Sequence, residues 1–223
     1  MNDWRKILAI TRKDILAEFR TREIIVSVLM FTLLVIIIFN FAFGSTQAII
    51  NSAAPGMLWI TFAFAGVLAL NRSFIVEKED GCIEGLMVCP VSRELIYVGK
   101  MLGSLAFMVA VEIIALPIFA LLFNLAVITP QIAVITILTT VGFVSCGTLF
   151  SALAVKTKAR ELVLPILFLP IMVPVIIGAV KATATALAGG AWADMASWLG
   201  IIAAFDAVFV IISLWIFSIV IEE

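Results

Sequence analysis

Six apolar runs, each long enough to cross a lipid bilayer, leave this chain few folds to choose from. They cover roughly Ile24–Phe43, Pro55–Phe74, Met101–Phe123, Pro130–Val155, Leu162–Val180 and Trp198–Ile221. A helix rises about 1.5 Å per residue, so each run can span a hydrocarbon core of about 30 Å. The chain is 64% apolar and 13% charged. A soluble domain of 223 residues could not hide six such runs from water. In lipid the backbone must satisfy its own hydrogen bonds, which leaves helices. The expected class is an all-α, polytopic membrane protein with one transmembrane domain over residues 1–223.

The basic residues alternate with the runs. Arg5, Lys6, Arg12, Lys13, Arg20 and Arg22 precede span 1, and none follows it before span 2. Arg72, Lys78, Arg93 and Lys100 follow span 2, and none follows span 3. Lys156, Lys158 and Arg160 follow span 4, and only Lys181 follows span 5. Lys and Arg stay on the cytoplasmic side. Both termini are therefore expected in the cytoplasm. The first run is longer than a secretory signal's apolar region, so it reads as a retained span.

Histidine is absent, which removes the commonest general base, metal ligand and haem ligand. No Gly-rich phosphate loop of the G-x-x-x-x-G-K-[ST] kind is present. No enzyme constellation, metal site or nucleic-acid partner is expected. Cys82, Cys89 and Cys146 lie at the cytoplasm or in the membrane and are expected to stay reduced. Tyr97 and the first two cysteines are expected on the loop after span 2.

Residues 3–22 read as a basic amphipathic helix lying at the headgroups. Trp4, Leu8, Thr11, Ile15 and Phe19 recur at helical spacing with Ile7 beside them, and Trp4 serves as interfacial anchor. Span 2 is expected to begin at Pro55, in a first helical turn. Span 3 carries Glu112 at mid-depth and span 6 carries Asp206. Each is a costly group in lipid that must be protonated or paired. For Glu112, a latch or partner contact and an ordinary hydrogen bond inside the bundle both fit. Span 4 is rich in small residues suited to close packing. Pro165, Pro170 and Pro174 imply a kinked or broken span 5. Lys181–Ser197 reads as a stretch able to dip back into the outer interface.

The one long polar stretch runs from Asn71 to Lys100. Asp80 can cap a short helix from Gly81 to Val88, with Ile83, Leu86 and Met87 on one apolar face. Pro90 stops it. Ser92 then caps the next helix, with Glu94 in its first turn. This stretch resembles the cytoplasmic loop of ABC-2-type permeases: an acidic pair, a glycine, a Glu and Leu in a short helix, a Pro-x-Ser-Arg turn and a Gly-Lys. Leu70-Asn-Arg-Ser-Phe74, Glu79-Asp-Gly-Cys-Ile-Glu-Gly-Leu86, Ala159-Arg-Glu-Leu-Val-Leu-Pro165 and the terminal Glu-Glu narrow the likeness to the CcmB family. The likeness covers essentially the whole chain.

The resemblance implies a permease subunit of a haem exporter in cytochrome c-type biogenesis. Its ATPase would be a separate subunit, CcmA. CcmC and CcmD would be its membrane partners, and CcmE the periplasmic haem chaperone served indirectly. It implies an ATPase-coupling element made of Glu77, Glu79, Asp80, Gly81, Ile83, Glu84, Gly85, Leu86, Met87, Pro90 and Arg93. Arg160 and Glu161 are a possible second ATPase contact. No cofactor is expected to be bound by the chain, with haem as a transported or handled ligand. Two other functions fit the same composition: an ABC-2 exporter of a lipid, polysaccharide or drug, and an ATP-independent, proton-coupled carrier using Glu112 and Asp206.

Overall fold

The computed structural model describes residues 3–43, 47–79, 91–155 and 160–220, with the side chains of 18–21, 72–79, 155, 160–164 and 218–220 left aside. These residues form seven helices: α1 (Asp3–Thr21), α2 (Glu23–Phe43), α3 (Gln47–Glu79), α4 (Arg93–Phe123), α5 (Pro130–Val155), α6 (Arg160–Leu187) and α7 (Trp192–Val220). The last six each contain a stretch long and apolar enough to cross a membrane. The protein is an all-helical, six-span membrane protein.

α5 is the hub. It packs against α3, α4, α6 and α7, while α2 sits on the periphery against α3 and α4. Most of the spanning part of α3 and α5 is buried, but less than a quarter of α2 or α7. Sequence explains the sorting. α5 carries Gly, Ser, Thr and Ala around its circumference, so neighbours approach closely without large side chains between them. α2 is almost wholly Ile, Leu, Val, Met and Phe, which lipid solvates as well as protein does. Close approach is explicit at Gly66 and Gly147. A Cβ at Gly66 would enter the Phe143 ring, and one at Gly147 would collide with Leu70.

Two expectations are corrected, for Pro55 and for Lys181–Ser197, and of the two forms expected for span 5 the broken one is ruled out. Pro55 is not in a first turn: α3 begins at Gln47, and Pro55 lies inside it. Thr61 and its neighbours continue the helix beyond the proline, with the Thr61 hydroxyl donating to the Met57 carbonyl at 2.7 Å. Pro165, Pro170 and Pro174 do not break span 5, since α6 runs through all three. Lys181–Ser197 does not form a re-entrant segment. α6 continues to Leu187, Gly189 makes the turn with φ of 78°, and α7 starts at Trp192. Asp194 stabilises that start by accepting from the Ala191 N–H at 2.8 Å, an acidic group where the helix dipole favours one.

The two other sharp corners use non-glycine residues. Arg22 has φ of 58° between α1 and α2. Asn124, with φ of 51°, closes α4 as its N–H bonds the Ala120 carbonyl; asparagine is among the residues that best tolerate this conformation.

Candidate functional site

α1 is amphipathic, but its apolar arc is divided between two surroundings. Trp4 and Leu8 are exposed, whereas Ile7 and Ile10 are buried against α4. The Thr11 hydroxyl lies 3.0 Å from the carbonyls of both Ile7 and Gly99. Gly99 and Gly103 form the seat. A Cβ on Gly99 would stand 2.8 Å from Ile10 Cβ, and one on Gly103 would stand 3.2 Å from Asp14 Cβ. Asp14 sits between two cations, with Lys13 Nζ at 2.9 Å and Lys100 Nζ at 3.9 Å. α1 is thus bolted to the first turns of α4.

Arg93 opens α4, which follows the proposed coupling segment directly. Ser92 occupies the cap position as expected, with extended backbone, but its side chain makes no capping hydrogen bond. Glu77 and Glu79 belong to the last turn of α3. The helix that crosses the membrane thus runs without interruption into the polar stretch. Asp80, Gly81, Ile83, Glu84, Gly85, Leu86, Met87 and Pro90 lie outside the described residues. Arg160 and Glu161 form the start of α6, and their side chains also lie outside the description. Tyr97 is corrected. It is not on a loop but inside α4, fully buried, its ring centroid 5.2 Å from that of Phe217. Its hydroxyl donates to the Ser145 carbonyl at 3.0 Å and lies 2.8 Å from Ser145 Oγ.

Glu112 and Asp206 are both buried, at 3% and 6% exposure. Both meet α5. Thr140 Oγ1 lies 2.6 Å from Glu112 Oε1 and 2.8 Å from the Thr136 carbonyl. A hydroxyl has one proton to donate. Both contacts are full hydrogen bonds when Glu112 is in its acid form and donates to Thr140. Thr140 and Glu112 also line a small cavity of about 10 Å³ with Trp59, Thr139 and Phe143. Asp206 lies against Gly142, where a Cβ would overlap its carboxylate. Neither Asp206 oxygen has a hydrogen-bond partner, and the buried hydroxyls of Thr136, Thr139, Thr148, Ser151 and Ser213 share that condition. All six residues belong to α5 or α7. The sequence pattern of span 4 shows small residues but not their second role, with Thr140 meeting Glu112 and Gly142 making room for Asp206. Ser and Thr at helical spacing inside an apolar run are the signal that could have shown it.

Two open hollows lie at the end of the bundle far from α1, sharing Gln47 and Asn124. Asn40 donates to the Leu122 carbonyl at 2.7 Å there, and Gln47 to Asn51 at 3.0 Å. Uncharged amides line this end, in contrast to the basic α1 end.

The CcmB protein family matches residues 5–222. Among curated relatives, the heme exporter protein B of Bradyrhizobium diazoefficiens is 29% identical over 81% of this chain and 82% of its own length. That of Pseudomonas aeruginosa is 30% identical over 74% of this chain and 76% of its own length. That of Rhodobacter capsulatus is 33% identical over 67% and 69%. With the match running through all seven helices, the chain belongs to the CcmB family.

Proposed function

We propose that this chain is the permease subunit of an ABC-type haem exporter acting in cytochrome c-type biogenesis. The observation that carries the reading is the family match over residues 5–222, with relatives named heme exporter protein B across most of their length. The six-span bundle supports it as a membrane-embedded subunit. Energy would come from a separate ATPase, CcmA, engaging the segment from Glu77 to Arg93 and, as a second contact, Arg160 and Glu161. CcmC and CcmD would be the membrane partners, and CcmE the recipient on the far side.

The chain would sit in the inner membrane, as the family match suggests, and its orientation, with both termini cytoplasmic, rests on the basic residues. Thirteen of the fourteen Lys and Arg residues lie on one side of the spans. Without histidine, haem would be held by apolar contact or jointly with a partner. The chain's own part is then to transmit force and to hold the assembly together.

Deleting the gene and staining membranes for covalently bound haem tests the reading. Loss of c-type cytochromes, restored by the intact gene, is expected. Normal cytochromes in the deletion strain would overturn it in favour of another exported substrate. Charge reversal at Glu84, or Leu86→Asp, should then leave the chain inserted but abolish co-purification of the ATPase. An apolar cytoplasmic helix face left in water forfeits about 1.5–3 kcal/mol per large side chain, so it needs a protein partner. External cysteine labelling at positions 48 and 190, and not at 80 or 158, is the outcome that fits the orientation.

A further inference from the structure

α1 is joined to α2 through one residue, but it is packed on α4. The joint is Arg22, whose φ of 58° is a conformation that few non-glycine residues adopt. Two attachments hold α1 to α4. Ile10 lies against Gly99, and Asp14 lies against Gly103. The two pairs are four residues apart on both helices, so the attachments stand about 6 Å from one another. A seat fixed at two points resists both sliding and swivelling. Thr11 bonds the Gly99 carbonyl between them at 3.0 Å. The ammonium of buried Lys100 stands 3.9 Å from Asp14.

The α2 side of α1 is built differently. α1 touches α2 only lightly. A cleft of about 100 Å³ is lined by Ile15 of α1 and by Ile24 and Ile25 of α2. Its α4 wall is made of small residues, with Gly103, Ser104, Ala106 and Ala110 among them. A close-packed contact transmits displacement, whereas a cleft absorbs it. The inner side of the glycine seat leads into the bundle. Ile10 shares an apolar cluster with Ile96 and Tyr97 of α4, Leu149 and Ala152 of α5, and Phe217 of α7. Tyr97 contacts Phe217 through its ring and Ser145 through its hydroxyl.

We propose that α1 and the first turns of α4 move as one rigid lever, hinged at Arg22, that carries displacement of the coupling segment to α5 and α7. This rests on the reading of the chain as an ATPase-driven permease. α4 follows the coupling segment directly, so an ATPase that shifts the start of α4 shifts α1 with it. The relative motion falls at the α1–α2 cleft and not at the glycine seat. Arg22 absorbs the change in backbone angle, as a residue at an element's end can. The inner end of the lever bears on the hub helix through Tyr97.

The test uses the chain co-purified with its ATPase in nanodiscs, with ATP turnover as the readout. Asp14→Cys with Gly103→Cys puts the two Cβ atoms about 3.2 Å apart, a little under the span of about 3.5–4.5 Å that a disulfide uses. Ile15→Cys with Ile25→Cys is bridged across the cleft by a short bismaleimide. Conformational steps commonly set turnover, so the first bridge should leave it within about twofold of the same sample reduced, and the second should lower it about tenfold or more. Chains with one introduced cysteine, treated alike, control for Cys82, Cys89 and Cys146. Spin labels at exposed positions read the motion itself, one pair at Leu8 and Glu94 and one at Leu8 and Val26. On adding ATP with vanadate, the first distance should hold and the second should shift. Turnover stopped by the first bridge means that α1 slides on α4 and overturns the lever. Turnover indifferent to both bridges overturns it too, and leaves the permease reading standing. Failure of that reading shows separately, as normal cytochromes in the deletion strain. A shift between Leu8 and Glu94, or none between Leu8 and Val26, overturns the lever even where a bridged variant fails to fold.

Discussion

Glu112 and Asp206 approach α5 at nearly the same depth, and α5 receives them differently. Thr140 meets Glu112 with a hydroxyl at 2.6 Å. Gly142, two residues on and about 200° around the helix, meets Asp206 with bare backbone and no donor. Both carboxyls are buried in the spanning bundle, so burial does not distinguish them. The difference is local chemistry on α5. One seat answers a polar group and the other only makes room for it. A satisfied intramembrane group is structural in the first instance. An unsatisfied one costs stability, and it persists where something other than folding needs it.

The largest effect should come from closing the seat that only makes room. Gly142→Leu puts a branched side chain where the Asp206 carboxyl lies, and α7 must move off α5. Overpacking of this kind costs about 1–3 kcal/mol and occasionally more. The variant should fail to accumulate in a folded form, as judged by resistance to SDS in a detergent titration. Gly142→Ala should fail more mildly and recover when combined with Asp206→Ala. A stable Gly142→Leu chain would break the comparison, because α5 and α7 would not be in contact there.

Next in size is Thr140→Val. It keeps shape but removes the hydroxyl that bonds Glu112 and leaves a buried carboxyl without its partner. An unsatisfied buried group costs about 1–3 kcal/mol. Glu112→Leu removes the carboxyl itself, and Thr140 keeps its bond to the Thr136 carbonyl. The expected cost is smaller, about 0.6 kcal/mol by the average for hydrogen bonds between membrane helices. The double variant should be close to the wild type, since removing both partners leaves nothing unsatisfied. Equal costs for the two single variants, in the same SDS titration, would show that Thr140 does not serve Glu112.

The sequence carried the spans and their order because lipid enforces a simple rule: an apolar run of sufficient length must be a helix. The boundaries were less legible. The stretch from Gly44 to Ala54 reads as a short uncharged loop between spans 1 and 2. In the fold Gln47 and Asn51 bond each other one helical turn apart. Pro55 reads as a start signal, but it stands inside a helix that begins at Gln47. Glu112 and Asp206 were visible as charges at depth. Their partners were not, because Thr140 and Gly142 are unremarkable letters in a small-residue helix until α4 and α7 are laid on either side. Asp14 was equally hidden among the charges of α1. Its pairing with Lys100 needs α1 folded back onto α4, a contact between residues far apart in sequence.

The smallest expected change in stability is also the one that separates the two seats most cleanly. Asp206→Leu exchanges an unpartnered buried carboxyl for a side chain of similar bulk. Replacing a poorly satisfied buried polar group by an apolar one is often neutral or stabilising. The expected shift in the SDS midpoint is therefore close to zero, or toward greater resistance, whereas Thr140→Val moves it the other way. Cytochrome maturation is then measured in cells carrying Asp206→Leu. Full stability with lost maturation would assign the carboxyl a role outside folding, most simply as a group that finds a donor in another arrangement of α5 and α7. Full stability with full maturation would make Asp206 a tolerated passenger. Marked destabilisation would mean that the carboxyl is held by a partner in the folded protein, and the contrast with Glu112 would fall.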